Sequence, residues 1–238
     1  MLTRSAQRIA ERLSESDVVL DIGGWADPFP RADWVIDVMP YESRGLYERQ
    51  GWVERGSRGP ERFDRSRWIQ RDVCDREPFP FADDEIDFVV CAHTLEDVRD
   101  PVWVCAEMAR IGRAGYVEVP SRLEEQSYGF AGPLVGWPHH HWLVDVGEES
   151  IEFVHKPHDI HGRPESHLPA GFQERLSEEE RVQTLWWEGG FAARERVFIE
   201  PSPHESYLPG LVARALREHP MAPGSGGRLR RALRRARG

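Results

Sequence analysis

The chain has 238 residues, 39% of them hydrophobic, and a formal net charge of −10, which leaves room for one large domain or two small ones. That charge argues against a general nucleic-acid-binding surface, and no apolar run approaches the ~20 residues needed to span a bilayer. Three cysteines, Cys74, Cys91 and Cys105, are odd in number and form no C-x-x-C; they suit free thiols in a reducing cytoplasm rather than a disulfide framework.

The N-terminus mixes Arg, Glu and Ser with scattered apolar residues and does not read as a signal peptide. Ile9, Ala10 and Leu13 recur at helical spacing, which predicts a helix over 3–13. The apolar run 18–22 then ends at Gly23-Gly24, the pattern of a buried strand that turns sharply at its carboxyl end. Paired glycines let backbone N–H groups approach a ligand with no Cβ in the way. Runs 34–37 and 68–72 predict a second and a third strand, each ending in an acid. Between them, 41–50 has a helical pattern and Gly56-Ser57-Arg58-Gly59-Pro60 must be loop. A turn-rich bridge, 78–84, leads to a fourth strand over 86–91, followed by Ala92-His93. A helix over 102–111 stops at Gly112, and 115–120 supplies a fifth strand. Strands separated by crossovers imply a mainly parallel sheet with right-handed connections.

The C-terminal part has a different texture. Runs 142–146 and 151–155 flank Gly147-Glu148-Glu149-Ser150 and predict a hairpin. Residues 177–188 read as a helix with Ser177 as N-cap and acids in its first turn, and 191–199 as a last strand. Seven of the ten histidines lie between 139 and 167. Three readings stand for them: polar loop residues, a substrate-facing cluster, or a metal site. Pro157 interrupts the His155, His158, His161 spacing, so one helical face is not expected, and no metal is assigned. Trp137, Trp186 and Trp187 are either an aromatic wall for a ligand or core packing. After a Pro-Gly-Ser-Gly-Gly linker at 223–227 the chain ends in a segment with six arginines and no acids. It reads as a flexible basic tail over 223–238; the alternative is a short amphipathic helix making weak contact with an anionic membrane surface.

In open α/β sheets, ligands sit at the carboxyl ends of the strands, where an acid ending the second strand accepts ribose hydroxyls. The ordered strand-end acids Asp21, Asp37 and Asp72 fit that use. Asp72-Val73 followed by Glu77-Pro78-Phe79-Pro80-Phe81, then Ala92-His93-Thr94-Leu95-Glu96-Asp97-Val98 with Asp100-Pro101, complete a long ordered pattern. Over 17–120 the chain resembles class I S-adenosylmethionine-dependent methyltransferases of the type 11-like branch. The resemblance implies an α/β, Rossmann-like fold with a mainly parallel seven-stranded sheet flanked by helices and an antiparallel C-terminal part. It implies S-adenosyl-L-methionine as cofactor. Asp21, Gly23 and Gly24 would approach its methionine part. Asp37 would hold the ribose hydroxyls and Val38 would line the adenine. Asp72 and Val73 would meet the adenine edge, and Ala92 and His93 would lie beside the methionine moiety. The chain departs from the branch in two places: Gly23-Gly24-Trp25-Ala26-Asp27-Pro28 lacks the later glycines, and Asp97 stands where histidine is usual.

Methyl transfer from a sulfonium needs alignment and a dry pocket, with a base only when the acceptor must lose a proton. Gly136-Trp137-Pro138-His139-His140-His141-Trp142 offers such a base. The expected catalytic residue is His140, which matches a histidine position of the branch, with His139 next to it. The expected function is methyl transfer to a small-molecule or glycan acceptor, at oxygen, without a specific nucleic-acid partner. The alternative is a noncatalytic binding or partner subunit that keeps the fold. The expected layout is a methyltransferase-like domain over 1–222, with a cofactor half (1–120) and an acceptor half (121–222), in a cytoplasmic protein.

Overall fold

The computed structural model describes residues 1–54 and 59–221. The basic tail lies outside the described residues, as do 55–58. The described chain divides into two compact units: Met1–Val119 with Val146–Phe153 and Thr184–Arg194, and Pro120–Asp145 with Val154–Gln183 and 195–221.

The first unit is built on a sheet. After helix α1 (Thr3–Arg12) come strands β1 (Val19–Ile22) and β2 (Trp34–Asp37). A short helix α2 (Leu46–Arg49) precedes β3 (Trp68–Gln70), and β4 (Phe88–Ala92) follows. Helix α3 (Pro101–Ile111) joins β4 to β5 (Ala114–Pro120). Asp100 caps α3, its carboxylate accepting the Trp103 N–H at 3.1 Å, and Pro101 sits in the first turn where its missing N–H costs nothing. The sheet order is β3-β2-β1-β4-β5-β8, the last strand being β8 (Val182–Glu188). The four pairs among β1 to β5 are all parallel. Strand β8 runs the other way: Gly189 N–H reaches Arg113 O at one end and Ser121 N–H reaches Arg181 O at the other. The result is an α/β, Rossmann-like architecture with a mainly parallel central sheet.

Both faces of this sheet are covered, so its strands are near-continuous apolar runs rather than alternating ones. Val19, Val35, Phe88, Val90 and Tyr116 join Ile9 and Phe29 in one core cluster. Leu20, Ile22, Ile36, Val89, Cys91 and Val117, of opposite parity, are fully buried too.

Four expectations are corrected. The central sheet has six strands among the described residues, not seven; part of 191–199 forms β9 (Ala192–Glu195) in a separate three-stranded sheet with β6 (Trp142–Val146) and β7 (Ser150–His155). Residues 41–50 form a 3-10 turn, Tyr41–Ser43, and the single-turn α2, because Gly45 between them takes φ +72. The 177–188 helix is instead β8: the run Val182 to Trp187 carries β-branched and aromatic side chains, with Leu185 and Trp187 buried on either side of half-buried Trp186. Ser177 caps only a turn, its hydroxyl accepting the Glu180 N–H at 3.2 Å.

In the second unit, a short helix α4 (Arg122–Glu125) opens the chain and α5 (Tyr207–Glu218) closes the described part. Val135, Leu143, Val154, Ile160 and Leu208 form one core cluster, and Leu168, Phe172, Leu176, Val212 and Ala215 form another. Arg122 grips Asp145 through two bonds of 3.0 and 2.7 Å, and Tyr207 donates to the same carboxylate at 2.9 Å.

Candidate functional site

In the first unit, the turn after β1 is set by two glycines whose place a side chain would crowd. Gly23 has φ +76, and a Cβ there would lie 2.1 Å from Thr94 Oγ1. A Cβ on Gly24 would lie 2.2 Å from Asp21 Oδ2. The connection 23–33 contains no helix, since Pro28 and Pro30 withhold two donors. The strand-end acids hold it instead. Asp21 accepts the Phe29 N–H at 2.8 Å, and Asp37 accepts the N–H groups of Trp25 at 3.0 Å and Met39 at 2.8 Å. Burial pushes the Asp21 carboxyl up to about 7 against the pull of the Phe29 N–H. It also raises Asp37, against the pull of the Met39 and Trp25 N–H groups.

The tip of β4 carries a second cluster. His93 has φ +53, in the left-handed region, and its Nε2 lies 3.0 Å from Glu118 Oε1 on β5. Its Nδ1 is 3.7 Å from Glu96, a carboxylate 1% exposed whose oxygens make no hydrogen bond. Burial pulls the His93 pKa down, but Glu118 and Glu96 outweigh it and hold the ring at about 9. Burial pushes Glu118 up, and His93, the N-terminal ammonium and Tyr116 overcome it to bring the carboxyl to about 2. Tyr116 donates its hydroxyl to Glu118, and the Leu2 N–H reaches the same carboxylate at 3.0 Å. The pattern of strand-end acids and glycines does not point to Glu118 or Glu96. An acid inside the otherwise apolar fifth strand was the available signal.

A cavity of about 30 Å³ lies among these groups, lined by Asp21, Gly23, Gly24, Asp27, Ala92 and His93. The structure thus brings together five of the residues expected at a cofactor site. Asp37 stays outside the cavity lining and holds Trp25 of the adjoining turn. Val38 is 59% exposed and Val73 is buried. Asp72 turns to Arg99 at 2.9 Å and accepts the Cys74 N–H at 2.8 Å. None of these three lines the cavity.

In the second unit, His140 is buried while His139 and His141 are exposed. Its Nδ1 lies 2.7 Å from Glu125 Oε2. Lys156 Nζ lies 2.5 Å from Glu125 Oε1 and donates to Trp137 O at 2.8 Å. Of the other histidines, His155 and His158 meet edge to face, while three more have separate partners. His161 Nδ1 accepts the Val135 N–H at 3.0 Å, His167 stacks on Tyr128, and His204 lies between Ser166 and Asp159. Trp186 and Trp187 belong to the first unit, where Trp186 packs on Tyr116.

Residues 53–117 match the family model for the methyltransferase domain. No curated protein matches. Among solved structures, the chain is similar to a SAM-dependent methyltransferase from Aquifex aeolicus, with 16% identity over 48% of this chain and 62% of that one, TM-score 0.32. It is similar to the YcgJ protein from Bacillus subtilis, with 20% identity over 50% and 51%, TM-score 0.33. It is also similar to the N-terminal domain of EvdMO1, solved in the presence of SAH and D-fucose, with 16% identity over 66% and 61%, TM-score 0.34. The chain spans between 51% and 62% of the length of these three structures.

Proposed function

We propose that this protein, a class I methyltransferase of the type 11-like family, moves a methyl group from S-adenosyl-L-methionine to a small-molecule or glycan acceptor, at oxygen. The observation that carries the reading is the convergence of Asp21, Gly23, Gly24, Ala92 and His93 on one cavity at the carboxyl ends of β1 and β4, where open α/β sheets bind their ligands.

The residues present fit the cofactor's chemistry. Asp21 and Asp27 put two carboxylates on the lining of the cavity, acceptors of the kind that a ligand bearing an ammonium uses. The glycine pair keeps side chains out of the turn, so backbone comes close. The cavity, at about 30 Å³, is far smaller than the cofactor, so the reading requires it to widen on binding. When bound, S-adenosylmethionine supplies an electrophilic methyl group on sulfur.

Each residue then has a role in this reading. Asp37 holds the ribose hydroxyls with the lone pairs that Trp25 and Met39 leave. Val38 lines the adenine, and Asp72 and Val73 meet its edge. Ala92 and His93 flank the methionine part. His140 takes the proton of the acceptor hydroxyl, and His139 is the next candidate for that task. The reading extends to a cytoplasmic location, supported by three cysteines that are all free and buried.

Calorimetric titration with S-adenosylmethionine, followed by transfer of labelled methyl to a panel of hydroxylated aromatics and free sugars, tests the reading. Saturable binding with label on a hydroxyl acceptor is expected. A folded protein that binds neither S-adenosylmethionine nor S-adenosylhomocysteine would overturn it.

A further inference from the structure

A second and much larger cavity lies in the first unit, with a volume of about 790 Å³. Small-molecule sites run from about 300 to about 1,000 Å³. One wall is helix α1. Ser5 and Ile9 are the buried residues that seat this helix, and Thr3, Ala6, Gln7 and Ala10, spaced i, i+3, i+4 and i+7, turn a neighbouring face to the cavity. Phe29 and Pro30, from the loop after β1, make a second wall, and Trp52 and Val53 a third. Of the nine tryptophans only Trp52 is exposed, at 65%.

Three charged side chains stand on the lining: Glu15, Arg31 and Arg62. Arg31 donates to Asp33 at 3.1 Å, to Ser14 O at 2.7 Å and to Asp17 O at 3.0 Å. Arg62 lies 2.8 Å from the same Asp33 and donates to Glu15 O at 3.0 Å. Both arginines thus already have their countercharge. Glu15 is exposed, where an ion pair gains little. The cavity therefore offers a charged guest no strong partner. From Thr3 to Ala10 it follows α1 for about 10 Å, at about 1.5 Å per helical residue. At one end it meets the small cavity at the tips of β1 and β4, since Met1 and Phe29 line both. Phe29 is tied to that site by its N–H on Asp21 at 2.8 Å.

We propose that this chamber is the acceptor pocket and takes an uncharged, elongated aromatic molecule lengthwise along α1, with its reacting hydroxyl at the Met1–Phe29 end. The proposal rests on the methyltransferase reading and narrows its acceptor. Thr3 and Gln7 are the uncharged polar side chains on the lining, enough for one or two hydroxyls. A free sugar would leave most of its hydroxyls unpaired against Ala6, Ala10, Phe29 and Val53, and each unpaired buried hydroxyl is costly. In the transfer the hydroxyl oxygen gains the methyl and releases its proton, and the donor leaves as a neutral thioether.

The test is calorimetry on the full chain with 4-phenylphenol, which is uncharged, and with 4′-hydroxybiphenyl-4-carboxylate, the same body with a charge. Saturable binding of 4-phenylphenol is expected, about tenfold or more tighter than the carboxylate. Ala10→Trp and Gln7→Trp, both at exposed positions of α1, put bulk into the chamber. Each should weaken 4-phenylphenol about tenfold or more and leave the affinity for S-adenosylhomocysteine near that of the parent. Should neither variant fold, Trp52→Ala reads the location instead, with a loss of about threefold or more. A folded parent that does not bind 4-phenylphenol overturns the proposal, as does one that binds the carboxylate equally well. Parent affinity in the folded variants overturns the location. Labelled methyl is expected on the oxygen of 4-phenylphenol or of estradiol. A protein that binds S-adenosylmethionine and both phenols yet labels neither overturns the acceptor role. The methyltransferase reading fails separately: a protein that binds 4-phenylphenol but neither S-adenosylmethionine nor S-adenosylhomocysteine sinks that reading, and the acceptor role with it, while the specificity of the chamber stands.

Discussion

The carboxylate of Asp37, at the end of β2, accepts the backbone N–H of Trp25 at 3.0 Å, so the second strand clamps the loop that leaves the first. Asp21 does the same from β1 through Phe29. Two acids thus stand in for the missing crossover helix, and the cofactor role proposed for Asp37 is coupled to the shape of the loop.

Asp37→Asn should therefore weaken two things together. Losing a charged acceptor costs about 1.5–3 kcal/mol, roughly tenfold to a hundredfold in Kd. The amide also cannot accept at both positions, so Trp25 or Met39 loses its partner and the melting temperature falls. Calorimetry with S-adenosylhomocysteine and a thermal melt measure the two effects. Parent affinity in a folded Asp37→Asn protein would refute the ribose assignment.

Gly24→Ala places a methyl 2.2 Å from Asp21 Oδ2. The carboxylate must swing away and release the Phe29 N–H. We expect a loss of about 1–3 kcal/mol from the crowding and the broken buried bond. Asp21→Ala removes the three atoms nearest that methyl, so Gly24→Ala should cost less there. Additive costs in that double-mutant cycle would show that the two residues do not meet.

The His93–Glu118 pair makes a pH prediction with a definite sign. A histidine raised to about 9 contributes stability that is fully present below its unfolded value of about 6.5 and is lost as pH rises through about 9. Glu118, lowered to about 2, contributes stability that is present above about 4.3 and is lost as pH falls through about 2. Asp21, raised to about 7, contributes stability that fades from about pH 4 to 7. Melting temperatures taken from pH 6.5 to 10 should fall more steeply for the parent than for His93→Asn, which retains the Asp21 contribution. Asparagine is chosen because it tolerates the positive φ at this position. Parallel curves for the two proteins would remove the proposed ion pair.

Trp187 fills a cradle made by two glycines. A Cβ on Gly115 would lie 2.6 Å from its ring, and one on Gly112 2.9 Å. Its indole N–H has no hydrogen-bond partner, so its contribution is packing. Trp187→Ala should cost about 3–5 kcal/mol. Denaturant titration reads this directly, and a loss below about 1 kcal/mol would mean that β8 does not seat on the sheet as described.

Trp187 also marks where the sequence misleads. Ser177 followed by three glutamates is a strong helix-start pattern. The chain uses it only for a turn, because Val182, Thr184, Leu185 and Trp187 gain more as the sixth strand of a sheet already formed. Such tertiary gain is invisible in a local window. Helix α5 does not stand out in the sequence because Pro209 and Gly210 mask its Leu208, Val212, Ala215 spacing. The parallel strands were legible to within about two residues, since burial on both faces makes each a plain apolar run bounded by breakers. At the site, strand-end acids and glycines could be read off directly. The partners that give them their charge states could not. Glu118 is 25 residues from His93, and Lys156 is 31 from Glu125, and only the fold makes them neighbours.

His140→Ala separates catalysis from architecture. If His140 removes the acceptor's proton, its loss should slow turnover by about 10²–10⁴-fold while the affinity for S-adenosylhomocysteine, proposed to lie with residues of the first unit, stays near that of the parent. The alanine also leaves the Glu125 carboxylate without its Nδ1 partner. Some loss of stability is therefore expected on either account, and a melt alone does not discriminate. Single-turnover rate against saturating acceptor does, because a structural residue changes the fraction of folded enzyme and not the rate per folded molecule. Imidazole added to the solvent should restore part of the rate in the alanine variant, since the deleted side chain leaves room for a diffusible base. A folded His140→Ala enzyme that turns over at the parent rate moves the assignment to His139, the exposed neighbour, for the same pair of measurements.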